Sequence, residues 1–222
     1  MEQLELPGLD RLLEVCSRLG LRQVTPPPRQ HPPEPFTLVE GAPLDPMLAS
    51  FYSRMGRAIL ADDADGVVML RVDDSANELA SETRALRDTW AGGLFASVLV
   101  FAGRPMLAHY YATVPALADA RGCQPVVLAD AYEQPYALPI ASTVDRFFDT
   151  YSRYLEELVV HEDFQDSGSA ALSFPWKVPH LLARDERLVQ LIREGRFAAL
   201  IADGDASVHA WAAELVAAPR RP

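Results

Sequence analysis

Apolar residues recur at three- and four-residue spacings through residues 139–160, which is the pattern of one face of a helix. Ser142, with Asp145 three residues later, has the form of a capping box, and Pro139 lies just upstream as a helix breaker. The apolar face carries two phenylalanines and a tyrosine, so we expect this helix to pack across a sheet with its aromatic side chains in the core. Its apolar positions are Val144, Phe147, Phe148, Tyr151, Leu155, Leu158 and Val159.

Five further stretches have helical periodicity: residues 9–19, 43–56, 77–90, 181–193 and 206–218. Gly20 is the expected C-terminal stop of the first stretch. In the second stretch Asp45 is the expected N-cap, Pro46 suits the first turn, and Gly56 is the expected stop.

Apolar and β-branched runs predict strands over residues 67–72, 94–103, 106–114 and 124–130, with brief pairing over 132–138. Tight turns join these runs, so the sheet should be mainly antiparallel. The expected fold class is α+β, a mainly antiparallel sheet with helices packed on it plus a C-terminal helical extension. Within that extension, residues 161–170 are expected to be a loop, and residues 197–201 a helix end or a short strand.

Prolines between residues 25 and 35 divide the chain. They disfavour helix and ladder pairing and favour an extended polyproline conformation, so we interpret this stretch as a stiff connector. Docking of a proline-reading module is the alternative. The predicted organisation is an N-terminal helix (1–24), a proline-rich connector (25–42), an α+β domain (43–160) and a helical C-terminal extension (161–222).

The chain has 31 acidic and 20 basic side chains and a net charge of −11. This charge repels nucleic acid and favours a basic protein partner, although an acidic surface also serves solubility alone. No apolar run is long enough to span a membrane, and the first residues do not have the pattern of a secretion signal. We therefore expect a cytoplasmic protein that binds neither nucleic acid nor membrane. Cys16 and Cys123 are either a disulfide pair or, as we expect, two reduced buried thiols.

Residues 63–66, Asp-Ala-Asp-Gly, are the nearest approach to a calcium-binding loop. Such a loop needs a further acidic ligand at position 61 and a glutamate at position 72, where this chain has Ala61 and Val72. We interpret the segment as an acidic turn that leads into a strand. The five histidines lack the spacing of a zinc site, and the chain has no CxxC, GxSxG or phosphate-binding glycine motif. We expect no metal, no cofactor and no catalytic residue.

A nucleophile pair of Cys123 with His109 is the enzymatic alternative, and a pocket that also uses Tyr110 and Tyr111 is its ligand-binding form. Polar and aromatic residues are interleaved on that predicted strand, as in a pocket wall. The alternation of a half-buried strand accounts for them equally well. Cys123 precedes an apolar strand, which is the setting of a small buried residue.

Acidic residues are concentrated around the strand predicted at 67–72 and the start of the next helix. Some of them belong to solvated turns or complement a helix N-terminus. As a set they are a candidate patch for binding a basic protein. The set consists of Asp62, Asp63, Asp65, Asp73, Asp74, Glu78 and Glu82.

Three segments resemble the SUKH superfamily in their order and apolar pattern. FYSRMG (51–56) is similar to the opening helix of that superfamily. FAG (101–103) ends a strand that precedes a turn and a second strand, and this arrangement resembles the paired core strands. Residues 124–156, from QPVVLAD to TYSRYLE, resemble its last strand and closing helix.

The likeness covers roughly residues 43–158. Met55 stands where asparagine is usual, Arg104-Pro105 replaces a common Gly-Asp pair, and the two-helix tail after Val160 is an addition. The resemblance implies a non-enzymatic α+β domain without catalytic residues. Bacterial members are typically immunity proteins that bind a toxin, often a nuclease, and related fungal members are scaffolds that regulate cell-wall synthesis.

We therefore expect an immunity protein that neutralises a cognate toxin by occlusion. A nuclease surface is basic, so an acidic surface would steer the association while an apolar or aromatic centre supplies most of the affinity. The alternatives are a regulatory or scaffold module of the same fold and the small ligand-binding or enzymatic domain described above.

Overall fold

The computed structural model describes residues 4–73, 77–89, 91–104, 109–131, 135–167, 172–201 and 206–218. Its helices are α1 (Pro7–Leu19), α2 (Pro46–Arg54), α3 (Glu78–Arg87), α4 (Gly92–Phe95), α5 (Val144–Val159), α6 (Glu162–Ser167), α7 (Pro179–Leu182), α8 (Glu186–Arg193), α9 (Ala198–Ile201) and α10 (Ala206–Ala217). Its strands are β1 (Gln23–Val24), β2 (Leu38–Val39), β3 (Ala42–Pro43), β4 (Ala58–Leu60), β5 (Val67–Met69), β6 (Leu99–Gly103), β7 (His109–Thr113), β8 (Val126–Asp130) and β9 (Tyr136–Ala141).

Seven strands form one antiparallel sheet in the order β1-β4-β5-β6-β7-β8-β9, and β2 and β3 form a separate hairpin. The sheet is almost a meander, because strands that follow one another along the chain are mostly hydrogen-bonded neighbours. The predicted α+β class, with a mainly antiparallel sheet and C-terminal helices, is confirmed.

The helix α5 lies across one face of the sheet, as its aromatic stripe predicts. The ring of Phe147 is 4.7 Å from that of Tyr111 on β7 and 5.8 Å from that of Phe101 on β6, measured between centroids. Phe148 stacks on Phe51 of α2 at 6.0 Å. Because these side chains are nearly inaccessible to solvent, the stripe belongs to the core.

The predicted start of α5 is wrong in two respects. Pro139 lies in β9 rather than breaking a helix, and proline is tolerated there because β9 is the edge strand of the sheet. Thr143, not Ser142, is the N-cap, since its hydroxyl oxygen accepts the N–H of Arg146 at 3.2 Å. The carboxylate of Asp145 accepts hydrogen bonds from another helix instead.

That other helix is α1, which packs lengthwise against α5. The two oxygens of Asp145 accept the N–H groups of Gly8 and Leu9, each at 3.1 Å, so a residue of α5 caps the start of α1. Gly20 ends α1 in the left-handed conformation, as predicted. The apolar side chains of α1 are buried in the same core cluster as those of the sheet.

The helix α3 covers the opposite face. Thr83 accepts the N–H of Val100 at 3.0 Å through its hydroxyl oxygen. Adjacent strand residues point to opposite faces. Tyr111 faces α5, and its neighbour Tyr110 lies near Glu82 of α3.

Several predicted boundaries are corrected. Residues 94–103 are not one strand, because α4 ends at Phe95 and β6 begins at Leu99; an apolar run this short does not distinguish helix from strand. The loop expected at 161–170 contains α6. Of the two alternatives for residues 197–201, a helix end or a short strand, the structure has a short helix, α9. The predicted second helix is shorter at both ends, since α2 spans Pro46–Arg54, while Asp45 is its N-cap as expected.

The expected helix over 181–193 is two helices, α7 and α8. Asp185 separates them, because its carboxylate caps α8 by accepting the N–H of Leu188 at 3.0 Å and also accepts the N–H of Ser142 at 2.7 Å. The C-terminal helices pack against β9, where Trp176 contacts Tyr136 at 5.4 Å and Trp211 at 6.2 Å between ring centroids. No helix in the described ranges is both long enough and apolar enough to cross a membrane.

Candidate functional site

Two exposed apolar side chains lie at the β2–β3 hairpin. Four large apolar side chains of the described residues are exposed, namely Val24, Phe36, Leu38 and Val160. Phe36 is 47% exposed and Leu38 70% exposed, and only Thr37 separates them. Neighbouring apolar side chains left in water are typical of an interaction site.

The backbone of the hairpin is unusual at two positions. Phe36 has a φ of +65° and Glu40 a φ of +49°, both in the left-handed region that residues other than glycine seldom adopt. The N–H of Phe36 donates to the carbonyl of Leu44 at 3.0 Å, and the N–H of Leu44 donates to that of Thr37 at 2.9 Å. Conformations of this kind persist where neighbouring structure holds them, and they cluster at functional sites.

Two arginines of α3 hold the tip of the hairpin. Arg84 Nη2 is 2.5 Å from Glu40 Oε1, and Arg87 Nη1 donates to the backbone carbonyl of Glu40 at 2.8 Å. Arg87 also donates to the carbonyl of Val98 at 3.0 Å, just before β6. The tip is therefore fixed relative to the main sheet.

The base of the hairpin rests on Asp45, whose side chain is buried. Its oxygens accept the N–H groups of Met47 at 2.7 Å, Leu48 at 3.2 Å and Gln124 at 2.6 Å. The amide of Gln124 in turn donates to the carbonyl of Pro43 at 2.8 Å. Burial raises the pKa of Asp45 to about 6, against the effect of these three hydrogen bonds.

A cleft of about 370 Å³ lies beside the hairpin. Proline rings from the proline-rich segment and the first residues of α2 form much of its wall, and proline fixes the backbone φ, so the wall is preorganised. Exposed Glu34 lies on the same segment. We use the term hairpin surface for Phe36, Leu38, Glu34 and this cleft, which is lined by Leu4, Pro32, Pro33, Glu34, Pro35, Phe36, Pro46, Ala49, Ser50, Ser53 and Arg121.

The predicted acidic patch is divided between surface and interior. Asp62 and Asp63 lie on the turn after β4, where Asp62 binds the guanidinium of Arg22 at 2.6 and 2.8 Å. Asp63 is exposed and accepts the backbone N–H of Arg22 at 3.0 Å. Both residues therefore tie the turn to β1, and Asp63 remains available to a partner.

Asp65 lies in the interior. Its carboxylate forms an ion pair with Arg104, and both side chains are only 8% exposed. The hydroxyl of Tyr154 is 2.6 Å from Asp65 Oδ2, and the hydroxyl of Tyr151 donates to the carbonyl of Asp65. We therefore exclude Asp65 from any docking surface.

Asp73 and Glu78 converge on Arg71. Asp73 Oδ1 is 2.8 Å from Arg71 Nη1 in a buried pair, and Asp73 also accepts the backbone N–H of Arg29. Glu78 accepts the backbone N–H of Arg71 at 2.9 Å. These contacts fasten the proline-rich segment to the start of α3. Glu82 is half-buried on α3, and Asp74 lies outside the described residues.

The residues of the enzymatic alternative are spread out. Cys123 precedes β8 near the Thr113 end of β7, whereas His109 pairs with Asp130 at the other end, four residues or about 13 Å along the strand. His109 Nε2 is 2.9 Å from Asp130 Oδ2. Burial raises the pKa of Cys123 to about 11, so its thiol stays protonated at neutral pH. Both cysteines are free and buried.

The hairpin surface was missed at the sequence level because its residues fall in the predicted connector. The available signal was Glu40-Gly41 between the apolar pairs Leu38-Val39 and Ala42-Pro43, since a glycine-containing turn between short apolar runs is typical of a hairpin. Comparisons of the chain with protein-family models, with curated proteins and with solved structures found no match.

Proposed function

We propose that this chain is a non-catalytic protein-binding domain that holds a basic partner at the hairpin surface. The observation that carries the proposal is the exposure of Phe36 and Leu38 on a hairpin that α3, Asp45 and Gln124 hold in place. Interfaces obtain most of their affinity from a few well-placed apolar or aromatic side chains. A preorganised hairpin offers such side chains at a small entropic cost.

The charge of the molecule supports a basic partner. The net charge is −11, and Glu34 and Asp63 are exposed acidic residues. A negative surface accelerates the approach of a positive one and discourages nucleic acid. The acidic residues would therefore steer the partner, while Phe36 and Leu38 supply the contact that retains it.

The resemblance to the SUKH superfamily supports a toxin as this partner. The chain would then act in the cytoplasm of the producing cell as an immunity protein that neutralises its toxin by stoichiometric occlusion. An acidic binder fits a nuclease toxin in particular, because a nuclease presents a basic surface to nucleic acid.

The test begins with affinity capture from lysate of the native cells at low and moderate salt, with mass spectrometry of the retained proteins. We expect one basic protein in a one-to-one complex, whose activity in isolation is toxic. Recovery of cell-envelope or signalling proteins instead would contradict the toxin assignment and favour the scaffold alternative.

The captured partner is then titrated against variants of the hairpin surface. We expect Phe36→Ser/Leu38→Ser to weaken binding at least about thirtyfold, the equivalent of losing a contact of about 2 kcal/mol. Val160→Ser is the matched control, because Val160 is 68% exposed but lies outside the hairpin surface. Equal effects of the two changes would contradict the proposed surface.

A second pair of variants tests the steering charge. Glu34→Lys/Asp63→Lys should slow association and reduce its dependence on salt, with a smaller effect on dissociation. Glu214→Lys/Glu162→Lys makes the same change in net charge at exposed positions on α10 and α6. If both double variants slow association equally, overall charge rather than the positions of Glu34 and Asp63 governs the encounter.

A further inference from the structure

A second cleft, of about 760 Å³, is rich in arginine and shares no residue with the hairpin surface. It lies where α5 and α8 begin. The hydrogen bond from Ser142 N–H to Asp185 Oδ2, 2.7 Å long, fixes the two helix starts relative to each other. Ser142, Asp185, Glu186 and Gln190 line this cleft together with the arginines Arg146, Arg184, Arg187 and Arg193.

The charges of these arginines are poorly compensated. Arg187 Nη1 donates to the amide oxygen of Gln190 at 3.1 Å, and Arg193 Nη2 donates to the carbonyl of Val216 at 3.1 Å, so both partners are neutral. Arg146 is 4.0 Å from the nearer oxygen of Asp149. The guanidinium of Arg184 has no hydrogen bond or ion pair with the described part of the chain.

Several arginines elsewhere in the described residues bind a carboxylate closely. Arg22 binds Asp62 at 2.6 Å, and Arg71 binds Asp73 at 2.8 Å. In a chain that carries eleven more acidic than basic side chains, a group of arginines without close carboxylate partners is a local exception. We use the term arginine cleft for the cleft that Arg146, Arg184, Arg187 and Arg193 line.

The acidic residues of the arginine cleft do not neutralise the positive charge of its arginines. Asp185 is buried, and its two oxygens are occupied by the N–H groups of Ser142 and Leu188. Glu186 is the other carboxylate of the lining. Among the described residues, four arginines therefore face two carboxylates, and the carboxylate of Asp185 binds backbone N–H groups.

An adjoining cleft of about 500 Å³ differs from the arginine cleft in its balance of charge. It shares Arg146 and Arg187 with the arginine cleft, but Asp149 there binds Arg153 at 3.2 Å, and Asp119 lies 3.7 Å from Arg121. Positive and negative side chains in that region nearly balance. Arg184 and Arg193, which lie outside this adjoining cleft, place the excess of positive charge on the side of α8.

We propose that the arginine cleft binds a small molecule that carries several phosphate groups. Guanidinium groups match phosphate oxygens with paired hydrogen bonds. The described residues of the lining are all polar or charged, so the phosphates rather than a stacked ring would determine binding.

The net negative charge of the molecule restricts the proposed ligand to a small one. Charges are screened over about 8 Å at physiological salt, so a compact ligand responds mainly to the arginines beside it. A nucleic acid would extend across the acidic remainder of the surface and be repelled.

The test is isothermal titration of the full chain with inorganic triphosphate at low and moderate salt. We expect one-to-one binding that weakens as salt rises. Arg184→Gln/Arg187→Gln should weaken it at least about tenfold, because each charge-assisted pair is a strong contact. Arg18→Gln/Arg196→Gln makes the same change in net charge at exposed positions outside the cleft, and binding should stay within about twofold.

Failure of the wild-type chain to bind triphosphate at low salt would overturn the proposal, as would equal losses in the two double variants. Citrate and a short oligoglutamate peptide are titrated in parallel. Tighter binding of either one than of triphosphate would assign the cleft to carboxylates or to an acidic peptide, and would overturn the phosphate assignment. Thermal unfolding by circular dichroism verifies that both variants are folded.

Discussion

At the scale of single residues, Asp45 should make stability depend on pH. Its pKa is raised by burial to about 6 from an ordinary value of 3.8, so between these values the native state holds a proton that the unfolded chain releases. Stability from this group is therefore present at low pH and is lost as pH rises through about 6. A shift of about two units corresponds to about 3 kcal/mol.

The measurement is urea unfolding of the wild type and Asp45→Asn at pH 4.5 and pH 7. We expect the variant to be less stable at both, because the amide nitrogen that replaces one oxygen cannot accept the N–H of Gln124. The gap between the two proteins should shrink by about 1–2 kcal/mol at the higher pH. Asp88→Asn, at an exposed position, is the control, and a gap that widens toward pH 7 would contradict the assignment.

Helix ends are predicted correctly from the sequence where the atoms that cap the helix lie nearby in the chain. Asp45 as N-cap and Gly20 as the stop of α1 follow from residue type alone. Ser142 and Asp145 look like a capping box in sequence, but their partners are Asp185 and the start of α1, 43 and 136 or 137 residues away. Contacts between residues so far apart in the chain produce no periodic pattern in the sequence from which they could be predicted.

At the scale of elements, the close approach of α1 to α5 depends on Gly8. A methyl group there would overlap the carbonyl oxygen of Asp145 and lie 2.9 Å from the backbone nitrogen of Asp149. Backbone atoms cannot yield as a flexible side chain can, so the helices would have to separate. We expect Gly8→Ala to destabilise the protein by about 1–3 kcal/mol in urea unfolding.

Gly93→Ala is the matched control for that change. Gly93 lies in α4, and a methyl group there meets no atom within 4 Å. Alanine favours helix over glycine by up to about 1 kcal/mol, so we expect no loss of stability. An unchanged urea midpoint for Gly8→Ala would show that α1 does not pack on α5 at this distance.

Elements with a long, regular period were predicted best. The periodicity of α5 is unambiguous over sixteen residues, and its contact with the sheet follows from its aromatic face. The hairpin strands β2 and β3 have two residues each and show no period, so the hairpin surface was hidden among the prolines. The arginine cleft likewise assembles from α5 and the region of α8, which are about 40 residues apart in the chain.

At the scale of the whole molecule, Asp65 joins the sheet to the C-terminal helices. It pairs with Arg104 at the end of β6, and it lies 2.6 Å from the hydroxyl of Tyr154 on α5. The same hydroxyl is 2.7 Å from the carbonyl of Leu172, and Arg104 Nη1 is 3.4 Å from the carbonyl of Phe174. One buried carboxylate thus connects the turn after β4, the central sheet, α5 and the segment that enters α7.

Asp65→Ala should therefore weaken the whole fold rather than one end of it. The change leaves the guanidinium of Arg104 buried without its partner, and breaking a buried pair in this way costs about 3–5 kcal/mol. Asp62→Ala is the matched control, because it breaks the more exposed pair with Arg22, and exposed pairs contribute little to stability. Both changes remove one negative charge from the same turn.

The measurement distinguishes a single core that includes the C-terminal helices from a core to which those helices are only appended. In a Trp90→Phe background the remaining tryptophans, Trp176 and Trp211, both report on the C-terminal region, while circular dichroism at 222 nm reports on all helices. Because the network around Asp65 crosses both parts, we expect fluorescence and circular dichroism to show one coincident transition in the wild type. In Asp65→Ala both midpoints should fall, because the lost carboxylate contacts both parts. An earlier fluorescence transition in the wild type would instead show that the helices after residue 161 unfold on their own, and the contacts of Asp65 would then not couple them to the sheet.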